Sequence, residues 1–275
     1  MNKYRTVLSI AGSDSIGGAG IQADIKTCCS IGVYAMTAIT ALTSQNTMGV
    51  RAVMPTPADV LRSQLDAIFE DVTPDAVKIG MIPNSECAEV IADVLEKFLP
   101  EKIVIDPVMI ATSGDSLSSE SSIKVLKNRL LPLASIVTPN IPEAEALTGL
   151  LICQKGDIKE AANHILNEYC CQSVLMKGGH FCPEDTLITD YFLHHESTEV
   201  LFNRPRIDTK NTHGTGCSLS SAIASYLAKG HNITNSVKLA LQWEFKAIRN
   251  GADYIIGHGH GPINHIYKTL NSPNK

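Results

Sequence analysis

The feature that most constrains the fold of this chain is a repeating order of short apolar runs and amphipathic helical segments. The runs are rich in β-branched residues and cover 6–12, 35–42, 76–82, 102–109, 135–140 and 173–180, and helical patterns cover 57–72, 85–99 and 157–170. Because the runs are continuously apolar rather than alternating, they are expected to be buried on both faces, as in a parallel sheet. The sequence therefore predicts an α/β protein with helices on both faces of a mainly parallel central sheet.

One segment departs from this order. Residues 186–207 read as two or three strands joined by a polar turn, which predicts an antiparallel edge. Two helical patterns then follow, and no Pro/Gly/Ser-rich linker or internal repeat interrupts the chain. We expect a single domain over residues 1–275.

Composition excludes several classes of protein. The chain has 275 residues and a formal net charge of -5, so a basic footprint for nucleic acid is absent. The longest uncharged stretch, 27–50, contains too many polar residues for a membrane-spanning helix, and the N-terminus does not resemble a signal peptide. The eight cysteines include no C-x-x-C pair, which favours reduced thiols. We expect a cytoplasmic protein without a membrane or nucleic-acid partner.

The first glycine-rich loop, GSDSIGGAG (12–20), lies between a predicted strand and a helix. It is not a Walker A loop, because Gly18 follows Gly17 where that motif has lysine. The looser dinucleotide fingerprint lacks its acidic partner, because the second strand ends in Ser44-Gln45-Asn46. We expect the loop to line a small-molecule pocket; the alternative is a tight turn.

Polar residues follow the predicted strands, where open α/β sheets bind their ligands. Asp106 in IDPVM and the pair Asn140/Glu143 in TPNIPEAE suit Mg²⁺ held through water. Lys177 in LMKGGH would offset phosphate charge. The alternative for Glu143 is an acid in the first turn that stabilises its helix. The alternative for Lys177 is a solvated lysine before a turn.

A second glycine-rich segment, Gly214-Thr215-Gly216-Cys217, opens the helix pattern that follows it. Unpaired N–H groups at a helix start, flanked by small residues, form an anion site suited to a phosphoryl group in transfer. In the first turn the pKa of Cys217 is expected to be lowered. The alternative is a glycine loop that ends at a small buried cysteine. His258, His260 and His265 lie in a glycine-rich segment without a closed zinc ligand set.

Taken together, the motifs are more specific than any one of them alone. GSDSIGGAGIQADIKT, ITALTSQNTMGV, VKIGMI, DPVM, TPNIPEAE, LMKGGH and NTHGTGC, in this order, resemble the hydroxymethylpyrimidine/phosphomethylpyrimidine kinases of thiamine biosynthesis, within the ribokinase-like superfamily. The resemblance covers residues from about 5 to 265. One departure is the first loop, which reads Ser-Asp-Ser-Ile-Gly where the family usually has Ser-Asp-Pro-Ser-Gly.

The resemblance implies a three-layer α/β fold, a homodimer, and ATP-dependent phosphorylation of a pyrimidine alcohol and then of its monophosphate. It implies pyrimidine contacts from Gly12, Asp24, Gln45, Met81 and Val108, and nucleotide contacts from Asn140, Lys177, Thr209 and Thr212. By the same resemblance Gly214, Thr215 and Gly216 hold the phosphate, Asp106 and Glu143 lie near Mg²⁺, and Cys217 stands at the general-base position.

The cysteine suggests a hypothesis about the two steps. A phosphate acceptor is already anionic and needs positioning more than a base, whereas an alcohol must lose a proton. A neutral thiol would not repel the monophosphate, as a carboxylate would. The rival interpretations are a pyridoxal kinase, a non-catalytic pyrimidine sensor and, least favoured, a nicotinamide oxidoreductase.

Overall fold

The computed structural model describes residues 3–109, 119–180, 186–196 and 199–267, and its strands form one sheet. The strands are β1 (Thr6–Asp14), β2 (Tyr34–Asn46), β3 (Gly49–Pro55), β4 (Ala76–Ile79), β5 (Ile103–Ile105), β6 (Ile136–Val137), β7 (Ser173–Met176), β8 (Leu187–His194) and β9 (Glu199–Pro205). Their order across the sheet is β3-β2-β1-β4-β5-β6-β7-β8-β9.

The centre of the sheet is parallel, from β2 through β1 and β4 to β7, which confirms the predicted architecture. The segment 186–207 forms the antiparallel pair β8 and β9, as expected. The antiparallel strand β3 at the opposite edge was not predicted. Its side chains are mostly exposed and include a charged residue, Arg51, so β3 lacks the apolar run that marks a buried strand.

Helices pack on both faces of the sheet. They are α1 (Gly20–Ile31), α2 (Ala58–Asp71), α3 (Ser85–Phe98), α4 (Glu120–Val125), α5 (Ile141–Thr148), α6 (Lys155–Glu168), α7 (Thr215–Ala228) and α8 (Ile233–Gly251). None of the helices in the described part of the chain is long and apolar enough to cross a membrane.

Alternate strand residues feed two separate cores. Leu8 and Ile10 of β1 pack with helices α2 to α6, whereas Val7 packs with α1, α7 and α8. Successive side chains of a strand point to opposite faces, so burial on both faces requires the continuously apolar runs seen in the sequence. This three-layer arrangement brings the carboxyl ends of the parallel strands to one edge, where the helix α7 also begins.

Candidate active site

A cavity of about 920 Å³ lies at the edge where the parallel strands end. It is lined by almost all of the residues predicted to form the site: Gly12, Gln45, Met81, Asp106, Val108, Asn140, Glu143, Lys177, Thr209, Thr212, Gly214, Thr215, Gly216 and Cys217. The sequence therefore identified the residues of one cavity, although they are spread over some two hundred positions of the chain.

Asp24 is the exception, because it does not line the cavity. Its side chain is fully buried, and its Oδ2 lies 2.9 Å from the ammonium of Lys78, which is also fully buried. The hydroxyl groups of Ser9 and Ser221 donate to the same carboxylate at 2.6 and 2.7 Å. Asp24 is thus placed to hold β1, β4 and α7 together and not to touch a bound pyrimidine.

Two glycines at the start of α7 are closely approached by other groups. Gly214 has φ 77°, and a Cβ there would lie 1.8 Å from the carbonyl oxygen of Gly18 in the first loop. At Gly216 a Cβ would stand 3.3 Å from Lys177 Nζ and 3.4 Å from Asp106 Oδ2. The backbone therefore approaches the charged groups as closely as a phosphate needs, with the positive end of α7 behind it.

Lys177 lies between two carboxylates at this end of the cavity. Its Nζ is 2.8 Å from Asp106 Oδ1 and 3.6 Å from Glu143 Oε2. Burial raises the pKa of Glu143 to about 7; Lys177 lowers it and Asp106 adds to the increase. The coulombic attraction of Asp106 and Glu143 keeps the pKa of Lys177 above its usual value despite the opposing effect of burial. Lys177 is therefore a fixed cation at the strand ends.

Glu143 also has the structural role that sequence analysis gave as its alternative. Its Oε2 accepts from the backbone N–H of Asn140 at 2.8 Å, and Asn140 Oδ1 accepts from Glu143 N–H at 2.9 Å. This capping box fixes the start of α5 and, with it, the position of both side chains on the cavity wall.

The pKa of Cys217 differs from the expectation. The thiol is half-buried on the cavity wall, and burial raises its pKa to about 11, in spite of a lowering by Lys78. The negative charges of Asp24 and Asp106 add to the increase. The predicted lowering of this pKa was therefore wrong, because desolvation and two nearby carboxylates raise it by more than Lys78 lowers it. At neutral pH the group is a thiol.

The cavity is also lined by the residues expected to contact a ring, which are Gly12, Gln45, Met81 and Val108. A Cβ at Gly12 would lie 2.9 Å from Met81 Sδ, so the methionine packs directly against the β1 backbone. Gln45 is half-buried at the end of β2 and presents an amide beside this apolar wall. A flat ring with polar edge groups suits such a slot.

Two buried charge networks were missed by sequence analysis. Arg204 lies 2.9 Å from Asp190 and 2.6 Å from Glu244, and Asp190 also accepts from Gly178 N–H, directly after Lys177. Burial raises the pKa of Glu244 to about 7, although Arg204 opposes this. No local pattern marks these partners, because they come from β8, β9 and α8.

The second missed network joins the two glycine-rich loops. Asp14 accepts from the N–H groups of Ile16, Gly18 and Ala19, and its Oδ2 lies 2.9 Å from His213 Nε2. Three backbone N–H groups of the first loop are therefore already bonded to the loop's own carboxylate. An aspartate directly after a strand and before glycines was the available signal.

Thr209 and Thr212, for which the resemblance implies nucleotide contacts, lie on the wall of the same cavity. Thr209 Oγ1 donates to the carbonyl of Ala252, and the carbonyl of Thr212 accepts from the Thr215 hydroxyl at 2.7 Å. This wall also includes the apolar residues Ile188, Ile207, Phe245 and Ile248.

The residues at the Lys177 end fit Mg²⁺ held mainly by water. Asp106 and Glu143 offer hard oxygen donors at the cavity wall. Among the described residues, no group of three or more His, Cys, Asp or Glu could hold a metal ion. Two carboxylates suit an ion that keeps most of its hydration shell and takes further oxygens from phosphates.

Fold and site together define a phosphotransferase with the ribokinase-like architecture. A family model described as phosphomethylpyrimidine kinase matches residues 14–264. The chain is 45% identical over 274 residues to the hydroxymethylpyrimidine/phosphomethylpyrimidine kinase of Bacillus subtilis, covering 100% of this chain and 99% of that one. The Escherichia coli protein of the same name is 42% identical over 265 residues, covering 96% of this chain and 98% of that one. This chain belongs to the phosphomethylpyrimidine kinase family.

Solved structures of two kinases resemble it. The phosphomethylpyrimidine kinase of Clostridium difficile has 44% identity and a TM-score of 0.77, covering 88% of this chain and 99% of that one. The pyridoxal kinase of Bacillus subtilis, solved as an ADP complex, has 33% identity and a TM-score of 0.89, covering 98% of this chain and 100% of that one. Of these two, the pyridoxal kinase has the closer backbone and the phosphomethylpyrimidine kinase has the closer sequence.

Proposed function

We propose that this protein transfers the γ-phosphoryl group of ATP to 4-amino-5-hydroxymethyl-2-methylpyrimidine, and a second one to the monophosphate, in thiamine biosynthesis. The observation that carries the proposal is the pairing of two ends in one cavity. Lys177, Gly216 and Cys217 form a phosphoryl end, and Gln45 with Met81 forms a ring end. The family match over residues 14–264 supports the same activity.

Catalysis on this arrangement is chiefly positioning and charge neutralisation. The N–H groups at the start of α7 bind the transferring phosphoryl group, and the ammonium of Lys177 stabilises the negative charge that develops on its oxygens. The acceptor oxygen attacks the γ-phosphorus while the bond to ADP breaks. Asp106 and Glu143 would hold Mg²⁺ through water, and the ion would supply further neutralisation of the phosphates.

The neutral thiol of Cys217 agrees with two successive acceptors. A carboxylate at this position would repel an incoming phosphate monoester, and the thiol does not. For the alcohol, Cys217 acts as a polarising contact: as the new P–O bond forms and the bond to ADP breaks, the hydroxyl proton passes to solvent water and not to the thiol, which is already protonated. The two steps thus share one site in which the residue at position 217 carries no negative charge.

We assign the nucleotide to the part of the cavity wall that Thr209 and Thr212 line. The apolar residues Ile207, Phe245 and Ile248 suit a purine ring, and Thr209 and Thr212 lie nearby. A solved pyridoxal kinase from Staphylococcus aureus carries AMP-PCP and pyridoxal, has 31% identity and a TM-score of 0.87, and covers 98% of this chain and 96% of that one. ATP is therefore the proposed phosphoryl donor.

The test is ADP release from Mg-ATP with the pyrimidine alcohol, its monophosphate and pyridoxal offered in parallel. Turnover of both pyrimidines with little on pyridoxal is expected, and Gln45→Leu should raise KM for the pyrimidine more than KM for ATP. Preference for pyridoxal, which the TM-score of 0.89 to a pyridoxal kinase makes the competing substrate, would overturn the assignment. No ADP with any of the three would favour a binding protein.

We also propose a homodimer, as the resemblance implies, and a cytoplasmic location, as the composition of the sequence favours. The hairpin of β2 and β3 carries exposed apolar side chains at Leu42, Val53 and Met54, and β3 is one of the two edge strands of the described sheet. Light scattering should give twice the chain mass of 29.6 kDa, and a single-chain mass at micromolar concentration would contradict the dimer.

A further inference from the structure

The first loop departs from the family pattern at Ser15, and this serine makes two hydrogen bonds to one residue of β2. Its hydroxyl donates to the carbonyl oxygen of Gln45 at 2.7 Å and accepts from the Gln45 N–H at 2.9 Å. A hydroxyl has one hydrogen and two lone pairs, so both bonds form at the same time. Ser15 is exposed and does not line the cavity, whereas Gln45 does. An effect of Ser15 on a bound ring therefore has to pass through Gln45.

The loop that carries Ser15 is a tight turn with a frame of its own. The N–H of Gly17 donates to the carbonyl oxygen of Asp14 at 2.9 Å, which makes Ser15 the second residue of a four-residue turn. The Asp14 carboxylate accepts from the N–H of Ile16 at 3.0 Å, and Lys26 Nζ donates to the carbonyl oxygen of Gly17 at 2.7 Å. The serine hydroxyl thus projects from a backbone whose position is set independently of Gln45.

Gln45 lies where the regular pairing of β2 is interrupted. The ladder between β1 and β2 ends with the pair of Asp14 and Thr43. On the other side of β2, the register with β3 shifts between Ser44 and Gln45, as at a β-bulge. A bulge bends its strand and changes the direction of the side chains beside it. The two bonds of Ser15 support β2 at the position where the main-chain pairing with β1 has stopped.

We propose that Ser15 is a positioning residue for the pyrimidine ring: its hydroxyl fixes the backbone of Gln45 and, with it, the amide that the ring contacts. Proline, the usual residue of the family at this position, fixes φ at the second position of a turn. Serine gives up that restraint and links the loop to the ring-binding strand instead. The inference rests on the proposed function, because it assumes that a pyrimidine contacts Gln45. It goes beyond that function in assigning ring affinity to a residue outside the cavity.

The test is steady-state kinetics of Ser15→Ala, with the pyrimidine alcohol and ATP varied in turn. We expect KM for the alcohol to rise about three- to tenfold, as for the loss of one net hydrogen bond. KM for ATP should stay within about twofold, because both bonds of Ser15 go to β2 and not to the segments that hold phosphate. Ser15→Thr keeps the hydroxyl and should restore KM for the alcohol. A loss that threonine does not restore, an unchanged KM for the alcohol, or an equal rise in both KM values would overturn the inference.

A double-mutant cycle with Gln45→Leu shows whether Ser15 acts through the amide. In the Gln45→Leu background, Ser15→Ala should leave KM for the alcohol unchanged, because the group that Ser15 positions is gone. An equal rise in both backgrounds would mean that Ser15 affects the ring by another route, and the inference would fail.

The matched control for stability is Asn84→Ala at the start of α3. Asn84 Oδ1 accepts from the N–H of Cys87 at 2.9 Å, and Asn84 does not line the cavity. Loss of this helix cap should lower Tm without changing either KM. A rise in KM for the alcohol in Asn84→Ala equal to that in Ser15→Ala would show that KM follows stability, which would contradict a positioning role.

Ser15→Pro separates the hydroxyl from the stiffness of the loop. Proline suits the second position of the turn but offers no side-chain hydrogen bond. KM for the alcohol should therefore rise as in Ser15→Ala, and a wild-type KM would mean that a stiff loop alone positions Gln45, against the inference. A wild-type protein that turns over neither the alcohol nor its monophosphate would reject the proposed function itself. Normal turnover without coupling between positions 15 and 45 would reject only this inference.

Discussion

Removal of the buried ammonium of Lys78 should destabilise the fold strongly. Lys78 Nζ lies 2.9 Å from Asp24 Oδ2, and both side chains are fully buried. Lys78→Met would leave a buried carboxylate without its cation, and breaking such a pair costs about 3–5 kcal/mol. Ser9 and Ser221 continue to donate to Asp24, so we expect the lower end of that range.

The measurement is the free energy of unfolding from urea titration, with calorimetry beside it. A loss of about 3 kcal/mol corresponds to a fall in Tm of about 6–12 °C for a chain of this size class. The matched control is Arg62→Met, which breaks a pair of 2.6 Å to Asp93 with 41% and 45% of the two side chains exposed. Exposed pairs contribute about 0–1 kcal/mol, so this variant should unfold almost as the wild type does.

The double variant Lys78→Met/Asp24→Leu separates the pair from general packing effects. Removing both charges relieves the buried carboxylate, so the double variant should be more stable than Lys78→Met alone by about 1 kcal/mol or more. Equal stability losses for Lys78→Met and Arg62→Met would refute the reasoning. So would a double variant whose loss equals the sum of the two single losses.

Three further predictions concern the site. Gly214→Ala should cost about 2–5 kcal/mol of stability, from backbone strain and overpacking against Gly18. The control Gly149→Ala, at φ 74° with no atom within 4 Å, should cost only about 1–2 kcal/mol. Similar denaturation midpoints for the two variants would contradict this. Cys217→Ala should slow phosphorylation of the alcohol far more than that of the monophosphate, and equal losses in steady-state assays would reject the thiol's proposed role. The pKa of Glu244 in the folded protein is about 7, above its ordinary value of 4.5. The stability that this group contributes is therefore lost as the pH rises through that interval. The Tm of the wild type minus the Tm of Glu244→Gln should fall between pH 5 and 7.

The parts of the fold that the sequence predicted are those governed by local pattern. Continuous apolar runs identified the parallel strands, and strand ends placed Asp106 and Lys177 at one edge. Strand β3 was missed because its pairing with β2 depends on the hairpin and not on burial of its own side chains. The order of motifs, read as a family resemblance, supplied the pocket residues that no single motif would have identified.

The electrostatics of the site could not be predicted in the same way. Lys78 within the apolar run AVKIG indicates that a buried carboxylate must be near, but the sequence does not say that it is Asp24, 54 positions away. The pKa of Cys217 is raised by burial and by two carboxylates that are distant in the sequence but near in the fold. The local rule that a helix start lowers the pKa of a thiol therefore failed. Arg204 likewise finds Asp190 and Glu244 only through the folded sheet.

The contact between Gly214 and Gly18 also bears on how this family can vary. The atom that obstructs a side chain at position 214 is a main-chain oxygen, which every amino acid at position 18 would supply. No single substitution at position 18 can therefore act as a suppressor of a side chain at 214. We expect revertants of Gly214→Ala to restore glycine itself or to change the length of the first loop. The need for glycine at position 214 is thus set by the path of the backbone and not by the side chain of a partner residue.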